Sequence, residues 1–253
     1  MTLDVVDPAT GRKLRSHEEM EADELEEILA AATRVQEEWA RTPFPERSRR
    51  MRRAADLLRE RSDRYARLMT EEMGKPIGAG RSEAEKCAWV CEYYAEHAEA
   101  FLSPRRVETD ASESFVAFRP LGVILAMMPW NFPFWQIFRF GAPALMAGIG
   151  ALLKHASNVP GCALAIEELL REAGFPEDLF RALLIDTDPV ADLLEDPRVE
   201  AATLTGSVRA GRAVATQAGA ALKKTVLELG GSDAYLVLSD ADLERTMDLC
   251  VES

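Results

Sequence analysis

From Pro120 onward, short uninterrupted apolar runs alternate with helix-length segments, and that alternation leaves few architectures open. Residues 121–129 read LGVILAMMP, a run without a polar face, as a strand covered on both sides of a sheet requires. A helical pattern follows over 134–147, then a short strand ALLK at 151–154 and a helix over 160–173 stopped by Gly174. Strand-like LFRALLI at 179–185, a short helix at 190–194, a strand at 201–205 and a helix over 208–221 come next. Two further strands are predicted at 224–229 and 234–238. Strands joined by helices pair in parallel through right-handed crossovers. The spacing therefore predicts an α/β fold with a Rossmann-like parallel sheet flanked by helices over 120–253.

Residues 1–119 read as a separate, highly charged helical region. Asp23 caps a helix carrying Leu25, Ile28, Leu29, Ala32, Val35 and Trp39 at helical spacing, and Pro43 and Pro45 end it. A second helix is predicted over 46–73, stopped by Gly74, Lys75 and Pro76, and a third over 80–101. A strand at 112–118 closes the region. Near the other end, Ser239 and Asp240 suit the start of a helix that meets no stop signal before Ser253.

Charge and cysteine usage remove several function classes. The sequence holds 30 Lys and Arg against 43 Asp and Glu, a net charge of −13. That balance argues against a nucleic-acid face, which needs a local cationic excess. No apolar run reaches the ~18–20 residues of a membrane span, so no membrane is expected as a partner. The opening MTLDVVDPATGRKLRS lacks the apolar core of a signal peptide, and 4 Cys give no disulfide framework, so the expected location is cytoplasmic. Spacing of His and Cys matches no metal site. Cys87 and Cys91 share a helical face and are expected to pack, as is Cys162, which has no base near it in sequence.

Four short constellations sit where predicted strands end, the edge at which open α/β sheets bind ligands. In PWNFP (129–133), prolines on both sides restrain Asn131; its amide either donates to an oxyanion or satisfies a turn. Lys154, His155, Ala156 and Ser157 follow the second strand. Lys154 there can reach the ribose or phosphates of a nucleotide, or simply point into solvent. Ser157 stands where an acid often holds the ribose diol, and its neutrality leaves NADP as well as NAD open. Gly206 and Ser207 begin TGSVRAG, a strand-to-helix turn whose free N–H groups suit a pyrophosphate, or merely a helix cap. Glu228 precedes Leu229 and two glycines at the fifth strand's end; it is either a partly buried carboxylate, whose raised pKa would suit activating water, or a surface Glu before a loop.

Taken in order, PWNFP, KHASNVP, TGSVRAG and ELGGSD resemble the aldehyde dehydrogenase superfamily. EEMGKPI (71–77), YAEH (94–97), GSVRAG (206–211) and AGAALKKTVLELGGSD (218–233) are similar to its NAD(P)-dependent succinate-semialdehyde dehydrogenase branch. The resemblance implies oxidation of an aldehyde to a carboxylate, a homo-oligomeric assembly with an oligomerisation strand from the 112–119 region, and a five-stranded Rossmann-type core. It implies Asn131 as an oxyanion donor and Glu228 as the general base. Trp130, Asn131, Lys154, His155, Ala156, Ser157, Gly206, Ser207 and Leu229 are implied at the cofactor, and Arg139 toward a substrate carboxylate, which an Arg fork suits. In that family the nucleophilic Cys lies farther past the base than the 25 residues that follow Glu228 here. The resemblance thus implies a chain without most of the catalytic domain and inactive alone. The alternative expectation is a non-catalytic nucleotide-binding or regulatory subunit completed by a partner chain.

Overall fold

The computed structural model describes residues 2–252. An N-terminal hairpin, β1 (Thr2–Val6) and β2 (Lys13–Glu18), leads into four helices: α1 (Ala22–Trp39), α2 (Phe44–Glu60), α3 (Ser62–Met73) and α4 (Ile77–Leu102). A two-residue ribbon, β3 (Arg105–Arg106) with β4 (Phe115–Val116), separates them from the sheet region. There follow β5 (Val123–Met128), α5 (Trp135–Met146), β6 (Gly150–His155), α6 (Pro160–Glu172), β7 (Phe180–Ala182) and α7 (Val190–Glu195). The chain continues through β8 (Val199–Thr205), α8 (Val208–Ala220), β9 (Lys224–Glu228) and α9 (Leu243–Glu252).

The five strands β7-β6-β5-β8-β9 form one parallel sheet in that spatial order. The chain runs outward from β5 to β7, then returns to lay β8 on the other side of β5. Strand order reverses between β5 and β8, which opens a crevice at their carboxyl ends. All six residues of β5 are buried, as its unbroken apolar run predicts. Ile124, Ala126 and Met128 face a core shared with α2, α4, α5 and α6, whereas Val123, Leu125 and Met127 face Ile28, Leu29, Val190 and Val214 on α1, α7 and α8. The larger core contains residues from both sides of position 119, with Trp39, Met51 and Cys91 alongside Phe134 and Ile166.

Four local expectations are corrected. The segment 234–238 is not a strand: no neighbour pairs with it, and Leu236 is 89% exposed. Apolar content alone does not make a strand without a surface to cover it. The single helix expected over 46–73 is two, meeting at Arg61, whose φ of −116° leaves the helical range. Only Phe115–Val116 of the predicted 112–118 strand pairs, and 179–185 contributes only Phe180–Ala182 to the sheet. The β1–β2 hairpin escapes the sequence reading, although its alternation buries Leu3 and Val5.

Two glutamates of the helical region cap sheet-region helices in trans. Glu72, on α3, accepts hydrogen bonds from the Gly161 and Cys162 amides at 3.0 Å each, closing the N-terminus of α6. Its burial pushes the carboxyl up, while those two donors pull it back. Any side chain at position 161 would push this cap aside, because its Cβ would lie 2.3 Å from a Glu72 oxygen. Glu83, on α4, does the same for α5, accepting from Phe134 N (2.8 Å) and Trp135 N (2.9 Å). Glu72→Ala removes the cap of a buried helix end and is expected to lower unfolding free energy by about 1–2 kcal/mol, read from a urea melt.

Candidate functional site

A cleft of about 400 Å³ lies at the carboxyl ends of β5, β6 and β8, lined by Met127, Lys154, Leu204, Gly206 and Val214 among others. Its place is the point of strand-order reversal, and its walls are mainly apolar, as small-molecule sites usually are. Lys154, the penultimate residue of β6, lines this cleft. Desolvation pulls its ammonium pKa down, and the fields of Asp186 and Glu19 work against that. Among the described residues no carboxylate lies within ion-pair distance of it. Ala156 lines the cleft beside it, and Ser157 stands exposed on the turn that follows.

The opposite wall comes from the β8–α8 turn. Ser207 caps α8, its hydroxyl accepting from Ala210 N at 3.2 Å, and Gly206 N donates to the Glu228 carbonyl at 3.0 Å. The last glycine of the motif, Gly211, serves packing: a Cβ on it would stand 2.5 Å from Leu229. Leu229 thereby fastens the end of β9 against α8.

Trp130 and Asn131 sit exposed on the turn after β5. His155 supports that turn from beneath. Its ring is buried, with Nδ1 3.1 Å from the Met128 carbonyl and Nε2 3.0 Å from the Pro133 carbonyl; the neutral ring donates to one of these two carbonyls, which flank the turn. Burial takes its pKa down to about 4, so the ring is neutral, and its side chain faces the turn, with the backbone contributing to the cleft.

Arg139 and Glu228, which arise from separate motifs, meet with Nη2 3.3 Å from Oε2. Of the two settings the sequence leaves open for Glu228, the structure shows the surface one: its side chain is 54% exposed, because β9 is an edge strand of the sheet. Sequence reasoning gave no role to Glu72, Lys75 or Glu83; the EEMGKP run holds two of them, but nothing in it reveals which helix they reach.

Cys87, Cys91 and Cys162 are buried with thiols pushed up by desolvation, and Cys250 is exposed on α9. No thiol lines the cleft among the described residues. Nor do the described residues contain a group of three metal-ligating side chains, or a helix long and apolar enough to cross a membrane.

These features have counterparts among known proteins. The sequence profile of the Aldehyde dehydrogenase family matches residues 1–253. A protein of Synechocystis named probable succinate-semialdehyde dehydrogenase [NADP(+)] is 51% identical over 251 residues, covering 99% of this chain and 55% of that protein. The Escherichia coli succinate semialdehyde dehydrogenase [NAD(P)+] is 45% identical, covering 97% and 53%. The crystal structure of the Streptococcus pyogenes succinic semialdehyde dehydrogenase in complex with NADP+ superposes with a TM-score of 0.93 at 38% identity, covering 97% of this chain and 54% of that one. The chain spans about half the length of the curated relatives it matches. With a profile match along its whole length and a matching fold, the chain belongs to the aldehyde dehydrogenase family.

Proposed function

We propose that this chain binds NADP+ in the β5/β8 cleft as the dinucleotide half of an enzyme that oxidises succinate semialdehyde to its carboxylate. The observation that carries the reading is the ammonium of Lys154, held in that cleft without a carboxylate partner, beside the neutral Ser157. The site suits the dinucleotide: of α5, α6 and α8, which start at this sheet edge, the first two have N-termini closed by Glu83 and Glu72. At α8 the Ser207 hydroxyl takes only the Ala210 N–H, and among the described residues the Val208 and Arg209 amides carry no hydrogen bond, so a pyrophosphate fits there. Bound NADP+ supplies the hydride acceptor.

The chain's own residues then divide the work. Lys154 holds the adenosine ribose and its 2′-phosphate, which Ser157 does not repel. Asn131 Nδ2–H donates to the oxyanion formed at the aldehyde carbon. Glu228 takes a proton from the water that releases the acid. Arg139 receives the substrate's distal carboxylate through its fork, and its contact with Glu228 is consistent with both facing one substrate. Family resemblance supports assembly of copies through the exposed Phe115 and Val116 and a cytoplasmic location. With no thiol at the cleft, these 253 residues by themselves form no thiohemiacetal and are expected to show no turnover. Exposed Tyr235, Leu236, Leu243, Met247 and Val251 support a second reading, a nucleotide-binding subunit completed by a partner. Co-elution of such a partner together with restored activity would favour it.

Calorimetric titration tests the cofactor site. NADP+ is expected to bind at least as well as NAD+. Ser157→Glu should reverse that order with about a tenfold loss for NADP+, or ~1.4 kcal/mol, because the new carboxylate repels the 2′-phosphate. Equal affinities in both proteins would remove Ser157 from the ribose, and no binding of either nucleotide would overturn the reading.

A further inference from the structure

We infer that Glu83, Lys75 and His155 are positioning residues that clamp the 129–133 turn and thereby fix the direction of the Asn131 amide. The inference deepens the proposed function and rests on its assignment of Asn131 as a hydrogen-bond donor to substrate.

The turn has little to hold it in place by itself. Trp130 and Phe132 are 50% and 45% exposed, and Asn131 is exposed between them. Yet a donor aimed at a developing oxyanion works only if its direction is set before substrate arrives. Three buried polar side chains outside the proposed chemistry converge beneath this turn. Glu83, 4% exposed, accepts from Phe134 N and Trp135 N with one oxygen and pairs with Lys75 through the other. Lys75, 6% exposed, places its ammonium 3.8 Å from the centre of the Phe132 ring. His155, 5% exposed, sets its ring between the Met128 carbonyl (Nδ1, 3.1 Å) and the Pro133 carbonyl (Nε2, 3.0 Å). The four residues that follow Asn131, Phe132 to Trp135, are thus tied to elements that do not move with it: α4 through Glu83 and β6 through His155. A buried ion pair is a poor device for stability alone, since its desolvation offsets its attraction. Directing two amides, a ring and a carbonyl within four consecutive residues gives this one a geometric role.

Composition makes the test direct, because Asn131 and Asn158 are the only asparagines in the chain. Selective ¹⁵N-asparagine labelling of the 253-residue protein therefore yields two side-chain amide pairs, one on the turn and one outside the clamp. In a parallel sample labelled with ¹⁵N-tryptophan, the Trp39 indole N–H, buried and donating to the Leu145 carbonyl at 2.8 Å, reports the core. Glu83→Ala is expected to shift or broaden the Asn131 pair beyond its linewidth while Asn158 and Trp39 stay in place. Glu83→Gln, whose amide oxygen can still accept from both backbone N–H groups, should return the Asn131 pair most of the way. An unmoved Asn131 pair in a folded Glu83→Ala protein overturns the proposal. If that variant loses the Trp39 signal, His155→Leu addresses the clamp from β6 instead. There an unmoved Asn131 pair, or loss of the core signal in this variant as well, would make these residues structural rather than positioning. Nucleotide binding does not enter this readout, so failure of the cofactor reading and failure of the clamp are separately visible.

Discussion

Replacing Arg47 with methionine is expected to lower the unfolding free energy by about 3–5 kcal/mol, the largest single effect anticipated here. Arg47 is only 4% exposed, and among the described residues it has no carboxylate partner. Its guanidinium instead donates to three main-chain carbonyls: Met146 at 2.9 Å, Trp39 at 3.1 Å and Ala40 at 2.9 Å. Those carbonyls end α5 and α1, where aligned peptide dipoles leave negative partial charge. The cation also lies 5.1 Å from the Phe44 ring centre and 5.7 Å from that of Trp39. Methionine fills much of the volume but leaves three acceptors without donors. Lysine keeps the charge yet presents one nitrogen where three divergent carbonyls wait, so Arg47→Lys should recover less than half of the loss. A denaturant series on the three proteins decides the matter; a methionine variant within 1 kcal/mol of wild type would show that the carbonyls find water.

Acidification provides the second large effect. His155 titrates at about 4 in the fold, down from 6.5, because burial penalises the imidazolium. Between those values the unfolded chain takes up a proton that the folded protein refuses. The stabilisation is therefore complete above pH 6.5 and is lost as pH falls toward 4, by about 3 kcal/mol in all. His17, lowered by burial and by Arg15, adds to the same slope. Glu72 and Glu167, whose carboxyls burial raises, act in the opposite sense. Asp196 and Glu26, lowered chiefly by the Arg198 hydrogen bonds, lose their contribution only in stronger acid. Subtracting the pH profile of His155→Leu from that of wild type isolates the histidine: the difference should fall by about 2 kcal/mol between pH 7.5 and pH 5. Parallel profiles would mean that the ring takes up its proton as readily in the fold as in the unfolded chain.

The parallel sheet was legible because β5 and its neighbours carry a local signature, an apolar run followed by a turn motif. Lys154, Ser207 and Glu228 could be placed at the sheet edge for the same reason: strand ends are local. What was not legible is long-range. That Glu228 would meet Arg139 depends on how β9 lies against β8, and that Glu83 would cap α5 depends on α4 packing against α5. His155 reads as a cleft residue from its neighbours, and only the tertiary fold shows its ring turned beneath Pro133. The 234–238 segment failed for the converse reason, having strand-like residues but no partner.

The trans-acting carboxylates on α3 and α4 also bear on how the chain assembles. A boundary at residue 119 divides the sequence by composition, yet the amides at the starts of α5 and α6 are satisfied by side chains from before it. A fragment beginning at Pro120 would carry those helix starts bare and half of the larger core exposed to water. Amide exchange across the sheet and across α2–α4 should therefore open in a single cooperative step, with neither segment acting as an autonomous folding unit.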